Sequence, residues 1–287
     1  MKKAILFILI VFMLNDLTLC FEERAAVATL TEIEGQVEIR KNDAWETLFP
    51  LQPLYPGDVI RVSRRGKAVL MYLGASMETI TEVNSPCIIK QKEIGQSRMH
   101  KGLQKLKEIM TGLVQRDEKK TALLVSRQIR DRLKILQPPK DSFVLFPKDY
   151  IDFKWELAKP PFFIRIFRET DDNEREKVFE KELNDIELRV PGEIFHENTT
   201  YSWIVFTEHR EEIGWMHFLK REESQAILSE FSELLAQIPE ENQVTRYLAN
   251  YGFYVDKGLY YDAHSLYGQI QQKYPENQTF KRIKGFY

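Results

Sequence analysis

The chain reads as a multi-domain, mainly β protein with a small α-helical region at its C-terminal end. Three observations carry that reading. Between residues 27 and 90, short runs alternate apolar with polar residues and are separated by turn residues. A second series of short extended runs follows the paired prolines Pro138-Pro139. From Glu222 onward the apolar period lengthens to three and four residues, the spacing of a helix face. The length of 287 residues accommodates two or three domains of about 100–150 residues each.

The first twenty residues stand apart from the rest. Lys2-Lys3 precedes an unbroken apolar run, Ala4 to Leu14. That run is shorter than the roughly 20 residues a membrane-spanning helix needs, and it suits the hydrophobic region of a secretory signal peptide over residues 1–20. Three outcomes stay open: cleavage after Cys20, lipid attachment at Cys20 through a degenerate Leu17-Thr18-Leu19-Cys20 lipobox, or an uncleaved anchor. The first two place the chain in an exported compartment, in the periplasm or at the outer membrane. Only Cys20 and Cys87 are present, so loss or acylation of Cys20 leaves no intramolecular disulfide. Stability then has to come from core burial. Cys87, between Ser85-Pro86 and Ile88-Ile89, reads as a small buried hydrophobe.

The first domain is expected over residues 25–135. Gln36-Val37-Glu38-Ile39-Arg40 alternates, which puts Val37 and Ile39 on one face of a strand. Trp45 to Leu48 is another short extended piece. Pro56 presets the backbone for the second position of a turn and Gly57 accepts the positive φ of the third position of a type II turn. The chain thus reverses at Leu54-Tyr55-Pro56-Gly57-Asp58 and feeds the apolar run Val59 to Val62. Ala68 to Leu73, Ser76 to Val83 and Pro86 to Lys90 are further strands. Leu103, Leu106, Ile109, Met110, Leu113 and Val114 form a helical stripe near 99–116. Thr121 to Leu136 reads equally as strand or helix.

Glu34-Gly35-Gln36-Val37-Glu38-Ile39, Leu54…Gly57-Asp58-Val59-Ile60 and Ala68-Val69-Leu70-Met71-Tyr72-Leu73-Gly74 together resemble the FecR domain over about 70 residues, a quarter of the chain. Gly35, Pro56, Gly57, Asp58 and Gly74 are the structural turn positions of that resemblance. FecR itself couples a periplasmic sensing part to a cytoplasmic segment that controls a sigma factor. Here only Met1-Lys2-Lys3 precedes the apolar run, so a cytoplasmic regulatory segment is not expected. The resemblance implies instead a secreted FecR-domain protein of the bacterial envelope.

Residues 138–220 are expected to form an Ig-like β-sandwich that resembles a fibronectin type III module. Ser142–Phe146, Ile151–Trp155, Phe162–Arg168, Lys177–Lys181, Ile186–Val190, Tyr201–Thr207 and Gly214–Leu219 supply the strands, and Trp155 and Trp203 sit where such a core places aromatics. Core packing is favoured for the four tryptophans over a sugar-stacking role, with Trp45 and Trp215 the candidates for exposure. Residues 221–287 read as a helical tail. Gly258-Leu259-Tyr260-Tyr261-Asp262-Ala263, Tyr267 and Lys273-Tyr274-Pro275 resemble one tetratricopeptide repeat, in which small Ala263 and bulky Tyr267 set the helix pair and Pro275 ends it. Solenoids need about three repeats, so this pair, with the preceding helix, is expected to pack on itself or on the β domains, ahead of a peptide-binding groove.

The charge balance, 41 basic against 43 acidic residues, argues against a nucleic-acid partner. The sequence holds no G-x-S-x-G elbow, no S-x-x-K pair, no phosphate-cradling glycine loop and no C-x-x-C. Catalytic, cofactor and metal residues are therefore not assigned. A pairing of His209 with His217 across a hairpin is weighed as a metal site and ranked below two ordinary surface histidines. Asp171-Asp172-Asn173-Glu174 lacks the spacing of a calcium loop and reads as a turn. The function expected is non-catalytic binding or scaffolding in the cell envelope, toward an envelope protein or peptidoglycan or another glycan. A periplasmic sensor and an unrecognised carbohydrate-active enzyme are the alternatives.

Overall fold

The computed structural model describes residues 25–72, 76–91, 133–156, 159–170 and 174–283. The N-terminal apolar run with Cys20, Gly74, the helical stripe near 99–116 and Asp171 to Asn173 lie outside these residues. The architecture is mainly β: four sheets followed by a C-terminal helical region.

Among the described residues, eight strands form the first part: β1 (Ala28–Glu34), β2 (Val37–Lys41), β3 (Ala44–Thr47), β4 (Pro53–Leu54), β5 (Val59–Val62), β6 (Lys67–Tyr72), β7 (Met77–Thr81) and β8 (Cys87–Ile88). They pair in two four-stranded sheets, β4-β1-β6-β7 and β3-β2-β5-β8. Alternation turns Val37, Ile39 and Ile60 inward to meet Leu30, Leu54, Leu70 and Ile80 in one apolar core, with Cys87 packed at its margin. The Pro56-Gly57 turn is built as the residues dictate. Gly57 has φ +89°, and the Asp58 N–H donates to the Tyr55 carbonyl at 3.1 Å. The Asp58 carboxylate accepts the Tyr55 N–H at 2.8 Å. The turn is also tied to the segment after β8, since Gly57 N–H donates to Ile89 O and Ile89 N–H to Asp58 O. Gly35 turns β1 into β2 with φ +72°, and a Cβ there would lie 3.2 Å from the Gly66 Cα. Two turns therefore touch where neither has a side chain.

The second part comprises β9 (Lys134–Gln137), β10 (Asp141–Val144), β11 (Tyr150–Glu156), β12 (Phe162–Glu169), β13 (Arg175–Leu183), β14 (Glu187–Pro191), β15 (Thr199–Thr207) and β16 (Arg210–Phe218). A three-stranded sheet, β14-β11-β9, and a five-stranded sheet, β10-β16-β15-β12-β13, enclose a core rich in large rings, among them Phe153, Trp155, Phe162, Tyr201, Trp203 and Phe218. Pro138-Pro139 does not stand between two cores. It joins β9 to β10, which lie in different sheets, and Leu133 before it and Val144 after it share one core. The prolines break the strand so that the chain can switch sheets. The Tyr201 hydroxyl donates to Ile194 O at 3.3 Å and accepts the His196 N–H at 2.9 Å, which fastens the crossing into β15.

Four helices follow: α1 (Arg221–Leu235), α2 (Gln243–Asp256), α3 (Tyr260–Lys273) and the six-residue α4 (Gln278–Ile283). The last was not expected, yet its start carries a local signal: Asn277 Oδ1 accepts the Thr279 and Phe280 N–H groups. Ala263 is buried and Tyr267 fills the space beside Tyr251, with its hydroxyl donating to Phe280 O.

The helices do not pack only on themselves. Their core takes in Leu51 and Met71 from the first part. A β-bulge in β1, where Leu30 pairs with Leu70 but Glu32 with Val69, leaves Thr31 as the extra residue. Thr31 and Thr245 share a buried hydrogen bond between hydroxyls at 2.9 Å, and Thr31 donates to Val69 O. Glu32, also buried, pairs with Lys67, and burial still pushes its carboxyl above the ordinary range. On the other side, α3 docks on β10. Ser142 Oγ accepts the Tyr261 N–H, an amide that the apolar N-cap Leu259 cannot satisfy. Asp262 accepts the Leu145 N–H at 3.1 Å and pairs with Lys148, while the Tyr261 hydroxyl accepts the Asp152 N–H at 3.0 Å. The helical region is thus held by buried polar contacts to both β parts.

Candidate functional site

The five-stranded sheet turns one face to the core and the other to solvent. Strand register lays the solvent face out in rows. Phe206 stands opposite Phe163, and Ile204 stands opposite both Arg165 and Ile213. In the next rows Ser202 lies between Phe167 and Trp215, and Thr200 is opposite His217, itself opposite Phe143 on the parallel strand β10. Three of these four rows carry aromatic rings. Phe163 and Phe206 stack at 5.2 Å with the Arg165 guanidinium 4.8 Å over the Phe206 ring. At the other end Trp215 is 41% and Phe143 48% exposed, the two most open rings of the face. Phe143 meets the His217 ring edge-on at 5.7 Å, and His217 Nδ1 bonds the Thr200 hydroxyl at 2.8 Å. Between them Ser202 is buried, and its hydroxyl is without a hydrogen-bond partner.

This face combines rings with charged groups. Rings offer flat apolar area. Charged groups at its margins, the Arg165–Glu180 pair at 2.5 Å and the Lys140–Glu212 pair, offer directional bonds. Glu180 is held below the ordinary carboxylate range by its bonds to Lys177 and Arg165. It therefore stays an acceptor in mild acid.

A second concavity, a groove of about 790 Å³, runs along β11 and β14 and is lined by Asp152, Lys154, Asp185, Ile186, Glu187, Leu188 and Arg189. Four of its charges pair across the strands: Asp152 with Arg189 at 2.9 Å and Lys154 with Glu187 at 3.3 Å. The Arg189 guanidinium also lies 3.9 Å over the Tyr150 ring. Those groups are occupied with one another.

Of the residues singled out in the sequence, Gly35, Pro56, Gly57 and Asp58 occupy turns of the first part, and Cys20 and Gly74 lie outside the described residues. Trp155 and Trp203 are buried, Trp45 is half-buried under the Arg61 guanidinium at 4.3 Å, and Trp215 is exposed. The histidine pairing does not form. His209 lies in the turn after β15, while His217 is near the far end of β16 opposite Thr200. Hairpin register alone separates them. Among the described residues no group of three or more metal-ligating side chains comes together. Phe143, Phe163 and Phe206 were missed as surface residues. Phe163 had a signal, since it alternates out of phase with buried Phe162 and Ile164. Phe143 had none, because its place follows from a parallel pairing between strands distant in sequence.

The fold and the surface define a mainly β protein of four sheets with a helical C-terminal region. No protein-family model matches the chain, and no curated protein is similar to it.

Proposed function

We propose that the chain is a non-catalytic binding or scaffolding protein of the bacterial cell envelope, and that the outer face of the five-stranded sheet is its binding surface. The observation that carries this reading is that exposed Trp215 and Phe143 share one sheet face with the stacked Phe163–Phe206 pair, the two groups lying toward opposite ends of it. Such a face fits a glycan strand, peptidoglycan included, or an apolar patch of an envelope protein. The first part is read as FecR-like, supported by the Gly35 and Pro56-Gly57-Asp58 turns. The second is read as an Ig-like module. Its support is the three-plus-five strand arrangement, buried Trp155 and the Tyr201 hydroxyl reaching back to Ile194 and His196. The helical tail is read as a tetratricopeptide-like pair. A sensory role draws on one further observation: the same helices touch both β parts, so a change at one could bias the other.

Co-sedimentation with purified peptidoglycan sacculi tests the binding surface. Wild type is expected to pellet with sacculi, and Trp215→Ala to bind at least about tenfold more weakly while keeping its circular dichroism. Absence of binding by wild type, or equal binding by the variant, rejects the glycan reading. Intact mass of the native protein tests the exported location. A start at Phe21 or an acylated Cys20 supports it; an intact Met1 supports a membrane-anchored sensor.

A further inference from the structure

Among the described residues, strand β13 is an edge of the five-stranded sheet, bonded to β12 on one side only. From the edge and its charge order we infer that β13 pairs with β13 of a second copy of this chain, joining two five-stranded sheets into one.

Backbone alternation decides which residues face outward. At the hairpin end the Thr170 N–H donates to Glu174 O, so Glu174 faces β12. Alternation then turns Arg175 and Lys177 outward. A bulge follows: Phe167 pairs with Lys177 but Ile166 with Phe179, so Val178 is the extra residue. The bulge advances the alternation by one residue. Phe179, Lys181 and Leu183 therefore face β12, and Glu180 and Glu182 face outward. Every outward residue of the strand, Arg175, Lys177, Glu180 and Glu182, is charged.

A two-fold antiparallel pair along an unbroken strand must set some residue against its own copy. Centred on any outward residue, this opposes like charges directly. Centred on Glu176 it sets Arg175 against Lys177, and centred on Lys181 it sets Glu180 against Glu182. All these registers are repulsive. The bulge permits one more, with the axis between Val178 and Phe179. It sets Lys177 against Glu180 of the second copy, Arg175 against Glu182, and Glu176 against Lys181. Each pair is opposite in sign. At the centre, half-buried Val178, which packs on the core, stands against half-buried Phe179 of the second copy. The existing bonds of Glu180 to Lys177 and of Arg175 to Glu169 are exposed and exchangeable. The edge thus rejects strands in general and accepts itself in one register. A two-fold axis normal to the sheet keeps both aromatic faces on the same side.

Sedimentation equilibrium of the purified full chain tests this, with Arg175→Glu, Glu182→Arg and the double exchange Arg175→Glu/Glu182→Arg. Wild type is expected to show a monomer–dimer equilibrium that weakens with salt. Each single variant should raise the dissociation constant at least about tenfold, and the double exchange should restore it. Circular dichroism confirms that each variant is folded, and Glu182→Arg breaks none of the ion pairs described above. A wild type that stays monomeric at every soluble concentration overturns the inference. So does a dimer indifferent to both single variants, or a double exchange weaker than either.

Discussion

Replacing Asp262 with alanine should loosen the seat of the helical region on the second β part. The carboxylate is buried, accepts the Leu145 N–H at 3.1 Å and pairs with Lys148. Its removal orphans a buried amide, at about 1–3 kcal/mol. It also leaves Lys148 without its partner. Breaking a buried ion pair costs about 3–5 kcal/mol, but the Lys148 side chain is 25% exposed and water can reach it, which cuts that part to about 1–2 kcal/mol and sets the total at about 3 kcal/mol. Asp262→Asn keeps an acceptor for Leu145 and should lose less than half of that. Lys148→Met/Asp262→Leu removes both charges and should lie closer to wild type than Asp262→Ala does. Urea unfolding followed by helical circular dichroism and tryptophan fluorescence measures all three. The pH dependence has a definite sign. Burial pushes the Asp262 carboxyl above its ordinary 3.8, against the pull of Lys148 and the Leu145 amide. The stability it contributes is full below 3.8 and is lost as pH rises through the folded value. Asp262→Asn, which cannot ionise, should therefore gain on wild type as pH rises through that window. An Asp262→Ala cost under about 0.5 kcal/mol, or a double variant as unstable as Asp262→Ala, would refute the reasoning.

Two other perturbations bear on the same framework. Burial, and then Lys154 nearby, hold His264 below its ordinary 6.5, so the unfolded chain binds the extra proton and stability should fall as pH drops below 6.5. His264→Gln should flatten that part of the urea midpoint against pH, and an unchanged slope would show that the imidazole is not its source. Tyr201→Phe keeps the ring in the core but loses both hydroxyl bonds, and should cost about 1–2 kcal/mol in urea unfolding without loss of fold.

Much of the local structure was legible in the residues. The Gly57 turn, the buried alternation of Val37 and Ile39 and the ends of the three long helices follow from φ preference, period and proline placement. Those forces act within a few residues, so a short window contains them. The aromatic face of the five-stranded sheet was half legible. Trp215 could be named as exposed, but its neighbours could not, because Phe143 reaches it through strand pairing across about 70 residues of chain. The boundary at Pro138-Pro139 misled for a related reason. Paired prolines mark a break in a strand, and a break serves a change of sheet as well as a change of domain.

By itself the sequence determined the two strand-rich stretches and the helical tail. Each depends on side-chain chemistry read along the chain. Only the tertiary structure decided that Thr31 meets Thr245, that Asp262 seats α3 beside β10, and that the rings of four strands share one face. Those contacts join residues remote in sequence. No local propensity encodes them; they arise when the chain buries its apolar area and each enclosed polar group must find a partner.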